Sequence, residues 1–141
     1  MWIQRQITLQ ARPRGIHLID DEIRSELPEL VDIETGVLHL HLLHTSAGLT
    51  ITENASPSVR TDLQAWLERV VPEGDEHWDH TLEGLDDMPA HVKSMLTGVS
   101  LTIPISGGSL ALGTWQGICL CEFRDRGGAR SVVATIQGDG P

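Results

Sequence analysis

Leu38–Gly48, LHLHLLHTSAG, sets three histidines among alternating leucines. A strand sends successive side chains to opposite faces, so His39 and His41 share one face while His44 joins Leu38, Leu40 and Leu42 on the other. The pattern predicts a strand over 36–44 with a leucine face for a core. It also means that the three imidazoles cannot serve one pocket equally.

The same period of two recurs outward from this segment. Ile3, Ile7 and Leu9 alternate with Gln4, Gln6 and Thr8, predicting a half-buried strand at the start of the chain. Further strands are expected at 49–54, 99–105, 110–112, 118–124 and 131–137, with turns at SGGS and DRGGAR. Helical signals are fewer. A short helix is expected near 20–27, ahead of Pro28, and a longer one follows Ser56-Pro57, with Val59, Leu63, Trp66, Leu67 and Val70 as an apolar stripe that Pro72 ends. A third is expected from Asp87, read as its cap, to Gly98. The expected architecture is a single α+β domain over 1–141, dominated by antiparallel sheet in a sandwich-like arrangement with about three helices.

Composition narrows the partners. The chain has 141 residues and a formal charge of -10, which disfavours nucleic acid, since displacing counterions from phosphates needs a basic face. No apolar run is long enough to span a bilayer, and a cytoplasmic location is the default expectation. Cys119 and Cys121 alternate along one strand and are poorly placed to bridge each other, so both are expected as core fillers. Residues 73–87 carry seven carboxylates and no lysine or arginine, which predicts an exposed loop.

Three far-apart histidines, His44, His80 and His91, form the sharpest candidate constellation, because three imidazoles and a water leave a metal with an open position. Taken singly, each also fits a plainer role as a core, loop or helix residue. His39 and His41 form a competing pair, with a polar solvent-facing role as the alternative. Glu122 lies in GICLCEFRD, where both strand faces are apolar; a buried carboxylate must be paired, protonated or metal-bound. An ion pair with Arg124 or Arg130 is as consistent with the sequence as a functional role. GTWQG, 113–117, either frames a flat ligand or forms a bulge with Trp115 in the core.

Taken together, HTSAGLTITENASPSVRTDL, WDHTLEGLDDMPAHVKSML and LTIPISGGSLALGTWQGICLCEFRDRGG resemble the YjbQ-like family, also called the secondary thiamine-phosphate synthase family. The resemblance covers about 36–136. Its motifs fall on His44, Thr45, Ser46 and Ala47, on Glu53 and Asn54, on Trp78 and His80, on Glu83 and Gly84, on Ala90, His91 and Ser94, and on 113–117 with Glu122. His39, His41 and His77 match nothing, and GLDDMPAH departs from the family's usual Gly-Asn before Ala-His, leaving open whether Asp86, Asp87 or neither fills that polar role. The resemblance implies a homotrimer with pockets near subunit boundaries.

It further implies a transferase that joins hydroxymethylpyrimidine pyrophosphate to thiazole phosphate with release of pyrophosphate, possibly as a side activity. On that basis His44, His80 and His91 are expected to hold zinc or magnesium, with Glu122, Asn54 and Glu83 as catalytic residues. Thr45, Ser94, Trp115, Gln116, Arg124 and Arg130 are expected to bind a small phosphorylated metabolite, the arginines on the strength of their clustering. Two alternatives belong to other classes: metal-assisted hydrolysis of a small phosphate-type compound, with Glu122 as base, and a non-catalytic trimer that binds a metabolite.

Overall fold

The structure is a computed structural model describing residues 1–141. Eight strands and three helices run in the order β1 (Trp2–Leu9), β2 (Gly15–Leu18), α1 (Asp20–Ser25), β3 (Thr35–Leu42), β4 (Ala47–Glu53), α2 (Pro57–Val70), α3 (Asp87–Thr97), β5 (Ser100–Ser106), β6 (Ser109–Leu110), β7 (Gln116–Glu122) and β8 (Arg130–Asp139). A 3-10 turn, Pro28–Asp32, precedes β3. Every strand pairing is antiparallel. The strands form a five-stranded sheet, β1-β8-β3-β5-β6, and a three-stranded sheet, β2-β7-β4.

The leucine face of LHLHLL decides how these sheets stack. Leu38, Leu40 and Leu42 are buried with Ile7 and Leu9 of β1, Ile103 and Ile105 of β5, and Ala134 and Ile136 of β8. The opposing side of this core comes from Leu49 of β4 and Ile118 and Leu120 of β7. Beyond the small sheet lie α2 and α3, where Leu67, Ala90, Cys121 and Phe123 form a second cluster. The order of layers is therefore large sheet, small sheet, helices. Period two in β7 supplies both cores from one strand.

Two glycines permit this stacking. A Cβ on Gly48 of β4 would stand 1.9 Å from Thr97 Oγ1, so the missing side chain lets α3 lie close against the strand. In the β5–β6 hairpin Gly107 and Gly108 take φ of 56° and 76°, as a two-residue turn compatible with sheet twist requires. Lys93, the sole lysine, is buried in α3 against Glu68 of α2 at 3.2 Å and lies over the Phe123 ring.

Several expectations change. β3 and β4 are consecutive but belong to different sheets, so residues 43–46 form the crossing between layers and Ala47 and Gly48 already belong to β4. β2 and the 3-10 turn were not expected; GIHL has no alternation, all four residues being half-buried between β7 and α2. In α2 only Leu67 of the apolar stripe is buried, and Leu63, Trp66 and Val70 are exposed. Trp115 is also exposed, at 63%, which corrects its reading as a core bulge.

A candidate metal centre at the N-terminus of helix α3

Asp87 and His91 are four residues apart in α3 and therefore share a face. The acidic loop before the helix folds back to add His80 and Glu83. One ligand atom from each of His80, Glu83, Asp87 and His91 lies within 4.8 Å of the others. His80 Nε2 is 2.8 Å from Asp87 Oδ2 and 3.4 Å from Glu83 Oε2. His91 Nε2 is 3.1 Å from the same Asp87 oxygen. Asp87 is buried, whereas His80 and Glu83 are exposed, so the set has a fixed floor and an open side.

The hydrogen bonds on the far side of His91 give this arrangement its chemical sense. His91 Nδ1 is 2.8 Å from the Thr45 carbonyl, which can only accept, so Nδ1 carries the proton. In the neutral ring Nε2 then presents a lone pair to the Asp87 carboxylate. Two acceptors at that distance require a cation between them, either a proton or a metal, and a carbonyl behind the imidazole is the usual device for orienting a metal-ligating histidine.

Arg124, just beyond β7, fixes the carboxylate side. Its Nε donates to Asp86 Oδ2 at 2.9 Å, Nη1 binds Asp87 Oδ1, and Nη2 donates to the Glu83 carbonyl at 3.0 Å. Burial works to raise the Asp86 carboxyl, but the Asp125 N–H and Arg124 outweigh it and hold the group below its ordinary range. Asp87 is likewise held low, against its burial, by Glu83, His91 and Arg124. Neither aspartate caps α3 through its side chain. The carboxylate read as a helix cap is instead the centre of the cluster.

His44 stands apart from this set. Its Nε2 accepts the Ser131 N–H at 2.8 Å, and burial together with the Arg130 charge holds its pKa below the usual imidazole value. With Nε2 accepting, the ring carries its proton on Nδ1. It shares with His91, Thr45 and Ser94 the wall of a pocket of about 400 Å³. Of the three histidines expected to converge as ligands, the structure brings His80 and His91 together and gives His44 a neighbouring place.

Glu122 is fully buried between the sheets, and both its oxygens are taken. Arg130 Nε donates to Oε1 at 2.8 Å and Arg130 Nη2 to Oε2 at 2.5 Å, while Arg124 N–H donates to Oε2 at 3.1 Å. Arg130 also donates to Ser46 Oγ at 3.0 Å. This pair frames the loop that presents the Thr45 carbonyl, and it leaves Glu122 no free oxygen with which to act as a base. Arg124 and Arg130 are likewise occupied by carboxylates instead of standing open to phosphate. Ser94 donates to the Ala47 carbonyl at 2.6 Å and anchors α3.

Asn54, Trp115 and Gln116 lie at the other end of the small sheet. β4 spans seven residues between the two ends, roughly 23 Å at the rise of a strand. Asn54 Nδ2 donates to the Thr114 and Gln116 carbonyls, both at 3.1 Å, and Gln116 Oε1 accepts the Gly113 N–H at 2.7 Å. Both residues line a cavity of about 690 Å³ with Arg12, Asp20 and Glu22. His39 and His41 face outward from the large sheet, on Thr102 and Ser100. Asp87, which the sequence offered as a helix cap and left open with Asp86 for the polar role before Ala-His, was not expected as a ligand; the signal for that was the spacing His80-x2-Glu83-x3-Asp87-x3-His91.

A family model described as UPF0047 protein YjbQ-like matches residues 5–139. The UPF0047 protein YjbQ of Salmonella typhimurium is 53% identical over 139 residues, covering 99% of this chain and all of the relative. The UPF0047 protein YugU of Bacillus subtilis is 39% identical over 109 residues, covering 74% of this chain and 76% of its own. Among solved structures, a conserved hypothetical protein of Thermus thermophilus superposes with a TM-score of 0.79 at 35% identity, over 92% of this chain and 97% of the other.

Proposed function

The chain belongs to the YjbQ-like UPF0047 family, and we propose that it is a metal-dependent enzyme hydrolysing a small substrate at a carbonyl or phosphoryl centre, with the divalent ion held by His80, Asp87 and His91. The supporting observation is the convergence of His80 Nε2 and His91 Nε2 on one Asp87 oxygen beside Glu83, with ligand atoms of all four residues within 4.8 Å of one another. Two imidazoles and a carboxylate suit zinc better than magnesium, which prefers oxygen ligands and retains water. A divalent ion in this place acidifies water and polarises the bond to be broken.

The chain's own groups do the remaining work. Thr45 and Arg124 hold His91 and Asp87 in place, so little reorganisation is needed when the ion binds. Glu83, on the exposed side of the cluster, takes the proton from the attacking water and returns it to the leaving group. His44 offers its Nδ1–H to substrate in the adjoining pocket. Coupling of pyrimidine pyrophosphate to thiazole phosphate draws less support, because leaving pyrophosphate needs free cations and both nearby arginines are spent on carboxylates.

Elemental analysis of the purified protein tests the reading. Zinc is expected in stoichiometric amount, lost in Asp87→Asn and His91→Ala and kept in His44→Ala and Glu83→Gln. Hydrolysis of p-nitrophenyl acetate or p-nitrophenyl phosphate is expected in the native protein and not in Glu83→Gln. A metal-free native protein, or full metal content in Asp87→Asn, refutes the centre. Product that forms from hydroxymethylpyrimidine pyrophosphate only when thiazole phosphate is present returns the assignment to a synthase.

A further inference from the structure

The cavity of about 690 Å³ at the Asn54 end of the small sheet is walled by separate parts of the chain: the segment around Gln10 and Arg12, helix α1, Asn54 just after β4, and the turn leading into β7. Glycine at 117 lets them meet. A Cβ there would stand 2.5 Å from Leu18 Cδ2, 3.0 Å from Asn54 Cβ and 3.4 Å from Asp20 Oδ1, so any side chain would push apart three of the residues that line the space.

Part of this wall is fixed by its own contacts. Glu22 accepts the Gln10 N–H at 3.0 Å through Oε2 and pairs with Arg12 through Oε1, and Arg12 donates to the Gln10 carbonyl at 3.1 Å. Asp20 Oδ1 accepts the Ile118 N–H at 3.0 Å. Three charged groups are left over: Asp20 Oδ2, the Asp21 carboxylate and the Arg24 guanidinium. Arg24 makes no ion pair, although Asp21 stands three residues before it in the same helix. Elsewhere Arg5, Arg14, Arg124 and Arg130 are each matched with a carboxylate, so an unpaired guanidinium beside unpaired carboxylates sets this cavity apart. The remainder of its lining includes the apolar side chains of Leu18, Leu110 and Leu112.

We propose that this cavity binds a small basic amino acid, with its carboxylate on Arg24, its two cationic groups on Asp20 and Asp21, and its aliphatic stem along Leu110 and Leu112. The charge balance selects that ligand. With the Arg12–Glu22 pair set aside, the free groups carry two negative charges and one positive, and a molecule with two cationic groups and one carboxylate complements each of them. A phosphorylated metabolite would find one free cation and be repelled by two carboxylates. A metal ion does not fit, because Asp20, Asp21 and Glu22 do not gather their ligand atoms as His80, Glu83, Asp87 and His91 do. The volume lies in the range of small-molecule sites, and walls already held by hydrogen bonds need little ordering when a ligand enters. The inference is independent of the metal centre, which stands at the other end of β4.

Isothermal titration calorimetry of the full chain with L-lysine and with L-arginine at pH 7 tests it. At least one of the two is expected to bind with a Kd below about 1 mM, whereas glutarate, with two carboxylates and no cation, is expected not to bind. Arg24→Gln and Asp21→Asn alter exposed, unpaired side chains and are expected to keep the native circular dichroism spectrum. Each is expected to weaken the amino acid's affinity about tenfold or more, as loss of a hydrogen bond between charged groups does. Arg69→Gln, on α2, is expected to leave it unchanged. No binding of either amino acid at about 10 mM, glutarate binding as tightly as they do, or unaltered affinity in either folded α1 variant overturns the proposal.

Discussion

The two ends of the three-stranded sheet are both rich in polar side chains, yet they differ in how those side chains are satisfied. Around Asn54 and Gln116, donors meet acceptors: the Asn54 amide N–H groups reach two carbonyls, and the Gln116 oxygen receives a backbone N–H. Around Asp87, two imidazole nitrogens, His80 Nε2 and His91 Nε2, converge on one carboxylate oxygen, and each contact needs a proton or a metal between its two atoms. A closed set of hydrogen bonds stabilises a loop, whereas imidazoles and carboxylates gathered on one point and held by Arg124 and the Thr45 carbonyl are the ground for the proposed cation site. Polar composition alone does not separate the two; the direction of each hydrogen bond does.

Replacement of Asp87 has the largest expected effect on that contrast. Asp87→Asn is expected to weaken zinc binding by about 100-fold or more, as loss of a ligand does, measured by competition with a chromophoric chelator. An affinity within a factor of three of the native protein would remove the distinction between the ends. Glu122→Gln is next, and it acts on stability: breaking a buried pair strands Arg130, at a cost of about 3–5 kcal/mol by urea denaturation. Asn54→Ala deletes two hydrogen bonds at the closed end, with an expected cost of about 1–2 kcal/mol and no change in metal content.

A pH effect far from both ends is the smallest. The hydrogen bond from Arg5 holds the Glu29 carboxyl down at about 2, against an ordinary value of 4.5. A depressed carboxylate pKa contributes stability that is fully present above the unfolded value and is lost as pH falls through the folded one. Arg5→Gln is therefore expected to be less stable than the native protein above pH 4.5, with the difference closing as pH approaches 2. Parallel denaturation curves at every pH would show that the pair contributes nothing, as exposed pairs often do. Cys119 and Cys121, raised to about 11 and 12 mainly by burial, are expected to resist thiol reagents at pH 8 until the protein unfolds.

Periodic patterning made most of the fold legible. The alternation in β1, β3 and β5, the Ser-Pro start of α2 and the glycine after α3 each depend on a residue and its near neighbours in the chain, so the elements followed within a few residues. β2 left no such mark, since a strand with four half-buried residues has no alternation to read. The exposed Trp66 and Trp115 were legible as apolar but not as uncovered, because burial depends on what else in the chain comes to rest against a side chain.

The candidate site divides along the same line. Sequence by itself determined that imidazoles and carboxylates are available near 80–91, that Glu122 enters an apolar strand and needs a partner, and that the chain has few cations to offer. Tertiary structure alone decided that Arg130 is that partner, that Arg124 reaches from β7 to the start of α3, and that Asp87 is a shared acceptor instead of a helix cap. Hydrophobic period is a property of consecutive residues. Which acceptor faces which donor is fixed only when segments some forty residues apart close on one another, and a one-dimensional pattern does not contain that distance.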